Sequence, residues 1–186
     1  MKKVAIVGAT GYTGQELVRL LLQHDGVEIH SAVSNSNGGK SFSSVYPNFV
    51  KLGDFSCSSD SSEKVSSEVD LIFLAHPHGL AAGMVSAEVL EKCAVIDLGA
   101  DFRLKNADAY DEWYDFKHPK PDLLSQSSYG LPEINRSAIK GSKLVANPGC
   151  YATCSILSLA PLLSAGLIDE TTLIVDAKSG VTGAGR

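Results

Sequence analysis

No two of the four cysteines stand at CxxC spacing. Cys57, Cys93, Cys150 and Cys154 are scattered, and no histidine or second cysteine pair lies at ligand spacing beside them. That argues against a zinc site or a disulfide framework, so no metal is expected and all four are read as reduced thiols. Long apolar runs are lacking too, and none reaches membrane-spanning length. The opening residues Met1-Lys2-Lys3-Val4 run straight into strand-like sequence, with no separate apolar region and cleavage site, which reads as a cytoplasmic protein without a membrane partner. Positive charge is scarce. Sixteen Lys and Arg stand against 21 Asp and Glu, and the net charge of -5 argues against nucleic acid as a partner. No internal repeat is visible. What remains is 186 residues, 44% hydrophobic and 20% charged, enough for one full domain with a real core and part of a second.

The chain turns on Asn147-Pro148-Gly149-Cys150-Tyr151. Leu144-Val145-Ala146 before it reads as a short buried strand, and Tyr151 to Ser164 after it as a helix. Pro148 and Gly149 make the tight turn between them. A thiol at a helix N-terminus feels the positive end of the helix dipole, which favours thiolate, so Cys150 is a candidate nucleophile. From this stretch alone a buried packing thiol is equally compatible, and the rest of the chain has to decide.

Val4-Ala5-Ile6-Val7 reads as a buried strand, followed at once by Gly8-Ala9-Thr10-Gly11-Tyr12-Thr13-Gly14 and by leucines at helical spacing, Leu17, Leu20 and Leu21. Strand, glycine turn and helix is the context of a dinucleotide fingerprint, although the spacing here is GxxGxxG. Gly8 permits the turn, Gly11 lets a pyrophosphate approach the backbone, and Gly14 lets the helix pack on the strand, while the helix N-terminus offers its N–H groups to phosphate. Thr10, Tyr12 and Thr13 fall in the same cradle. The next strand, Val27 to Val33, ends in Ser34 rather than a carboxylate. Nothing there repels a 2′-phosphate, Ser34 is placed to donate to it and Lys40 to neutralise it, so NADP(H) is expected over NAD. The alternative is a plain polar loop.

Ser34 to Ser67 is serine-rich, with one short strand expected around Val50 to Cys57. Val69 to Ala75 reads as a strong strand, broken by His76-Pro77-His78-Gly79, with a helix from Leu80 to Glu91. The break is expected to shape the nicotinamide pocket, a plain turn being the alternative. Ala94 to Leu98 is another strand, ending in Gly99-Ala100-Asp101-Phe102-Arg103. Arg103 is a candidate for an anionic substrate group, or a simple partner of Asp101. Residues 105–128 read as an excursion with a helix near Ala107 to Tyr114, and 129–135 as a turn-rich return. Leu173 to Ala177 reads as a last strand, running into the glycine-rich Ser179 to Arg186. A glycine-rich loop straight after a strand leads one to expect a longer protein. The fold expected is a Rossmann-type doubly wound, mostly parallel α/β sheet, followed by the start of a second α/β (α+β) catalytic domain.

Taken together these segments, with Tyr129-Gly130-Leu131-Pro132-Glu133, resemble the N-acetyl-gamma-glutamyl-phosphate reductases. The resemblance implies an NADP-dependent, cytoplasmic enzyme of arginine biosynthesis that reduces N-acetyl-glutamyl 5-phosphate to the semialdehyde through a thioester on Cys150. It implies cofactor contacts at the glycine turn, Ser34, Pro77 and Gly180, and substrate contacts at Arg103, Asn147 and Ser179. It also implies an NADP-binding domain over 1–147, the beginning of a catalytic and dimerisation domain over 148–186, and a homo-oligomer. The family's catalytic histidine has no counterpart among His24, His30, His76, His78 and His118, so turnover by these residues alone is not expected. Asn35 stands where relatives often carry a basic residue. The alternatives are an aspartate-semialdehyde dehydrogenase-like enzyme, a carrier-linked acyl-phosphate reductase, or a non-catalytic NADP-binding regulator.

Overall fold

A computed structural model describes residues 1–53 and 55–184. Strand β1 (Lys2–Val7) buries Val4 to Val7 without alternation, because a central parallel strand is covered on both faces. It leads through the glycine turn into α1 (Tyr12–Leu21) and then β2 (Val27–Val33). The serine-rich stretch holds the short α2 (Phe42–Val45), the two-residue β3 (Cys57–Ser58) and α3 (Ser62–Ser66). Next come β4 (Leu71–Leu74), α4 (Ala81–Met84), α5 (Ala87–Lys92) and β5 (Ala94–Asp97). The excursion contains α6 (Asp108–Tyr114) and returns through β6 (Ser127–Tyr129), α7 (Pro132–Ile139) and β7 (Leu144–Ala146) to α8 (Cys150–Ser164).

The seven strands form one sheet in the order β3-β2-β1-β4-β5-β7-β6, and every pairing is parallel. The order reverses direction between β1 and β4, so the loops after these strands flank the crevice in which such sheets bind ligands. One apolar layer packs Val18, Phe42 and Phe49 on one face. The other joins Ile72, Val89, Val95, Phe102, Tyr110 and Leu124. This is the expected doubly wound α/β sheet.

Several local expectations change. The strand expected around Val50 to Cys57 shrinks to Cys57–Ser58, since Phe42, Phe49 and Phe55 gather into one aromatic cluster that needs turns, not extended backbone. The helix expected from Leu80 to Glu91 is two helices. Val85 and Ser86 are extended between them, Ser86 caps α5 by accepting the Val89 N–H, and Lys120 Nζ donates to the Val85 carbonyl. The return at 129–135 runs into α7, which Pro132 starts and which continues to Ile139, and β6 pairs beside β7 where no strand is foreseen. Leu173 to Ala177 forms no strand. Ile174 is 92% exposed, and a strand needs a neighbour to pair with.

Candidate functional site

Because the sheet is parallel, the C-terminal ends of β1, β4, β5 and β7 lie along one edge, which gathers the Gly8 turn, the His76–Gly79 loop, the Arg103 loop and Cys150. At the glycine turn Gly8 has φ +90°, and a Cβ there would stand 2.4 Å from the Ala75 carbonyl oxygen. A Cβ on Gly14 would stand 2.2 Å from the Gly8 oxygen. Both positions are closed to any side chain. Gly11 is different: a Cβ would meet only the Gly8 oxygen, at 3.5 Å, so its outer side is open. Gly11 also starts α1, and no side chain caps that end. Open backbone over an uncapped helix start is what a dinucleotide pyrophosphate requires, so these residues fit the group. Tyr46 braces the turn from outside by donating its hydroxyl hydrogen to the Thr10 carbonyl at 2.7 Å. No local motif foretold that, since the two residues are 36 apart in sequence.

Ser34 lies at the end of β2 as expected, but it is 4% exposed and its Oγ is 2.6 Å from Thr10 Oγ1. The outer donors of this corner are Asn37, whose Nδ2 donates to Thr10 Oγ1, and Lys40, whose Nζ donates to Asn37 Oδ1 at 3.1 Å. Pro77 and His78 are exposed on the loop after β4, and the His78 ring lies 5.9 Å from that of Tyr114. His76 lines a cleft of about 290 Å³ with Gly8 and Asn35. Burial pushes its pKa down. Among the described residues no group of histidine, cysteine and carboxylate side chains could hold a metal ion.

The loop after β5 does not form the alternative pairing of Arg103 with Asp101. Asp101 is wholly buried and accepts the backbone N–H of Gly79 at 2.6 Å and of Ala82 at 2.9 Å. Its charge therefore serves the loop after β4. Arg103 instead donates from Nε to the Asn147 carbonyl at 2.8 Å and from Nη2 to the Leu98 carbonyl at 3.2 Å. Its Nη1 stands 3.1 Å from where a Gly149 Cβ would be. Asn147 is held to β5 by its own N–H, which donates to the Asp97 carbonyl at 2.8 Å. Arg103 thus reaches the cysteine turn, which the sequence did not reveal.

Cys150 is the first residue of α8, exposed, with Gly149 as an N-cap that supplies no side chain. It opens on a cleft of about 460 Å³ between α8 and the segment Val175 to Gly183, with Cys154, Ser179 and Gly180 in its lining. Gly180 therefore stands at the cysteine cleft and does not line the one beside Gly8. Gly185 and Arg186 of the same glycine-rich loop lie outside the described residues. Cys57 and Cys93 are buried packing thiols, and burial pushes both pKa values up. Cys154, expected among them, is exposed one turn from Cys150, because it lies on the open cleft between α8 and the segment Val175 to Gly183.

The strand order and the open glycine turn define a doubly wound protein of the dinucleotide-binding class. The description "Semialdehyde dehydrogenase, NAD binding domain" matches residues 3–142, and the chain belongs to that family. The "Semialdehyde dehydrogenase, dimerisation domain" matches residues 150–186. Over 186 residues the chain is 50% identical to an N-acetyl-gamma-glutamyl-phosphate reductase of Lachnoclostridium phytofermentans, covering 100% of this chain and 54% of that protein. It is 49% identical over 184 residues to one from Campylobacter jejuni, covering 99% of this chain and 53% of that protein. The chain thus spans about half the length of the curated relatives it matches. Among solved structures, aspartate semialdehyde dehydrogenase II of Vibrio cholerae, complexed with ASA, superposes with a TM-score of 0.63 at 22% identity, over 89% of this chain and 47% of that one. The Candida albicans aspartate semialdehyde dehydrogenase with NADP gives 0.57 at 18% identity, over 90% and 48%. At such identities the likeness is one of fold. No helix among the described residues is long and apolar enough to cross a membrane.

Proposed function

We propose that the chain carries the cofactor cradle and the nucleophile of an NADPH-dependent reductase that converts N-acetyl-glutamyl 5-phosphate to N-acetyl-glutamate 5-semialdehyde, with release of phosphate, in arginine biosynthesis. The observation that carries the reading is Cys150: an exposed thiol opening an uncapped helix, at the same sheet edge as a glycine turn open to pyrophosphate. The half-length identity to reductases of that name supports the substrate. Residues 1–147 form the cofactor-binding unit, and 148–186 belong to the catalytic and dimerising one. In the assembled protein the partner is a second copy, and the compartment is the cytoplasm.

Gly8, Thr10, Gly11, Tyr12, Thr13 and Gly14 hold the cofactor diphosphate. Lys40 and Asn37, the outer donors of this corner, take the 2′-phosphate with Ser34 behind them, while Pro77 and Gly180 border the cofactor. Cys150 Sγ, as thiolate, attacks the acyl carbon of the mixed anhydride. The new S–C bond forms, the C–O bond to phosphorus breaks and inorganic phosphate leaves, so the acyl group stays on Cys150 as a thioester. When bound, reduced nicotinamide supplies the hydride that turns this acyl group into an aldehyde and returns the thiolate. Asn147 and Ser179 border the acyl group, and the Arg103 guanidinium supplies positive charge where phosphate departs.

Single-turnover acylation tests the reading without requiring a complete enzyme. Mixing the chain with the acyl phosphate should release phosphate and add the acyl mass to Cys150, and Cys150→Ser should do neither. NADPH should bind more tightly than NADH in a fluorescence titration. Cofactor binding with no acylation would move the chain to the regulator class.

A further inference from the structure

We propose that segment 105–127 is a brace for the catalytic turn, with Tyr110, His118 and Ser127 as positioning residues that act on Cys150 through Arg103. Three consecutive carbonyls just before Arg103 are each held by a side chain of that one segment. Ala100 accepts from the Tyr110 hydroxyl at 3.2 Å, Asp101 from His118 Nε2 at 2.7 Å, and Phe102 from Ser127 Oγ at 2.9 Å. On the other side of Arg103 the Leu104 N–H donates to the Tyr110 hydroxyl at 2.9 Å. Arg103 then donates to the carbonyl of Asn147, three residues before Cys150. Segment, turn, guanidinium and cysteine turn form one continuous hydrogen-bonded chain.

The brace is itself rigid. His118 accepts the Lys120 N–H at Nδ1, so its ring proton is on Nε2, where the Asp101 carbonyl requires a donor. The His118 ring packs 4.8 Å from Tyr110 and 5.6 Å from Phe102. The Tyr110 phenol is a donor at neutral pH in any case, and burial pushes its pKa further up, to about 12. The Lys105 ammonium closes the base of the segment by donating to the Leu124 carbonyl at 2.9 Å and to both the carbonyl and Oγ of Ser127. An ordinary surface loop would satisfy itself or water. This one directs buried donors to the carbonyls of a turn that binds the nucleophile's turn; the Ser127 hydroxyl shares its hydrogen with the Leu124 carbonyl at 3.0 Å, and the Tyr110 hydroxyl has the Leu104 carbonyl as a longer second acceptor at 3.4 Å.

The inference rests on the reading of Cys150 as nucleophile, and thiol reactivity separates the two. The measurement is the alkylation rate of Cys150 by iodoacetamide relative to Cys154, one turn away on the same helix, resolved by peptide mass spectrometry. In the unaltered chain Cys150 should react faster; equal rates would overturn both the reading and the inference. Tyr110→Phe and His118→Phe keep the rings and remove the hydrogen bonds, and each should lower the ratio by about threefold or more. His118→Gln, which restores a donor, should recover part of it. Arg103→Met should lower the ratio as far, and His118→Phe added to Arg103→Met should lower it no further. Should a ring variant fail to fold, Ser127→Ala decides the matter. A normal Cys150 preference that Ser127→Ala, Tyr110→Phe and His118→Phe leave unchanged in folded protein overturns the inference alone, as does full additivity with Arg103→Met.

Discussion

At the scale of single residues the unusual group is Asp97. Its carboxyl is wholly buried, Oδ1 accepts the Gly99 N–H at 2.8 Å, and Oδ2 has no hydrogen-bond partner among the described residues. Burial, helped by the neighbouring Asp101 charge, pushes its pKa up to about 7, against the pull of the Gly99 N–H and Arg103. The folded protein thus holds a proton that the unfolded chain has released once pH passes the ordinary carboxylate range. The stability this contributes is complete below about pH 4 and is lost as pH rises through about 7. We expect the urea-unfolding free energy to fall by on the order of 2–4 kcal/mol across that interval. Asp97→Asn, which cannot ionise, should flatten the profile. An unchanged slope in that variant would remove Asp97 as its source. Asp101, equally buried, has a backbone N–H group on each of its two oxygens.

At the scale of elements, the contact between α1 and β1 depends on Gly14. An alanine Cβ would be driven to 2.2 Å from the Gly8 oxygen and 2.7 Å from the Ala9 Cα, both backbone atoms that cannot turn aside. Gly14→Ala should cost about 2–3 kcal/mol in chemical denaturation and weaken NADPH binding with it, because helix and turn move together. Gly11→Ala should be far milder for stability, since only one atom lies near, at 3.5 Å. Equal destabilisation by the two would contradict this division of labour. The same element was legible in the sequence because its glycines sit between a β-branched run and helically spaced leucines. The sequence suggests one helix from Leu80 to Glu91 where there are two, because nothing local announces the Lys120 contact that holds Val85 extended.

At the scale of the whole molecule the apolar surface is uneven. Fifteen residues of α8 carry no charge and none is buried, and Leu162, Leu167, Ile174 and Val175 lie exposed near one another in sequence. A helix apolar on all sides belongs in an interior or an interface. The chain by itself should therefore bind a dye such as ANS while natively folded and sediment with concentration-dependent association. Leu162→Lys together with Ile174→Lys should reduce both without lowering the unfolding midpoint. Monomeric, dye-free behaviour of the unaltered chain would show that this surface is covered in some other way.

The sequence by itself determined what depends on neighbours along the chain. Hydrophobic runs placed β1, β2, β4, β5 and β7, and the spacing of glycines placed the cradle. Asn147-Pro148-Gly149 placed Cys150 at the start of a helix, since turn chemistry and helix dipoles act over a few residues. Only the tertiary structure decided what Arg103 touches, that backbone N–H groups and not Arg103 meet the Asp101 carboxyl, and that β6 joins the sheet. It also decided that Leu173 to Ala177 remains unpaired and Cys154 exposed. Each of these is a question of which distant group satisfies a buried donor, acceptor or apolar face. No local pattern encodes that, because the partner is supplied by the packing of the whole sheet.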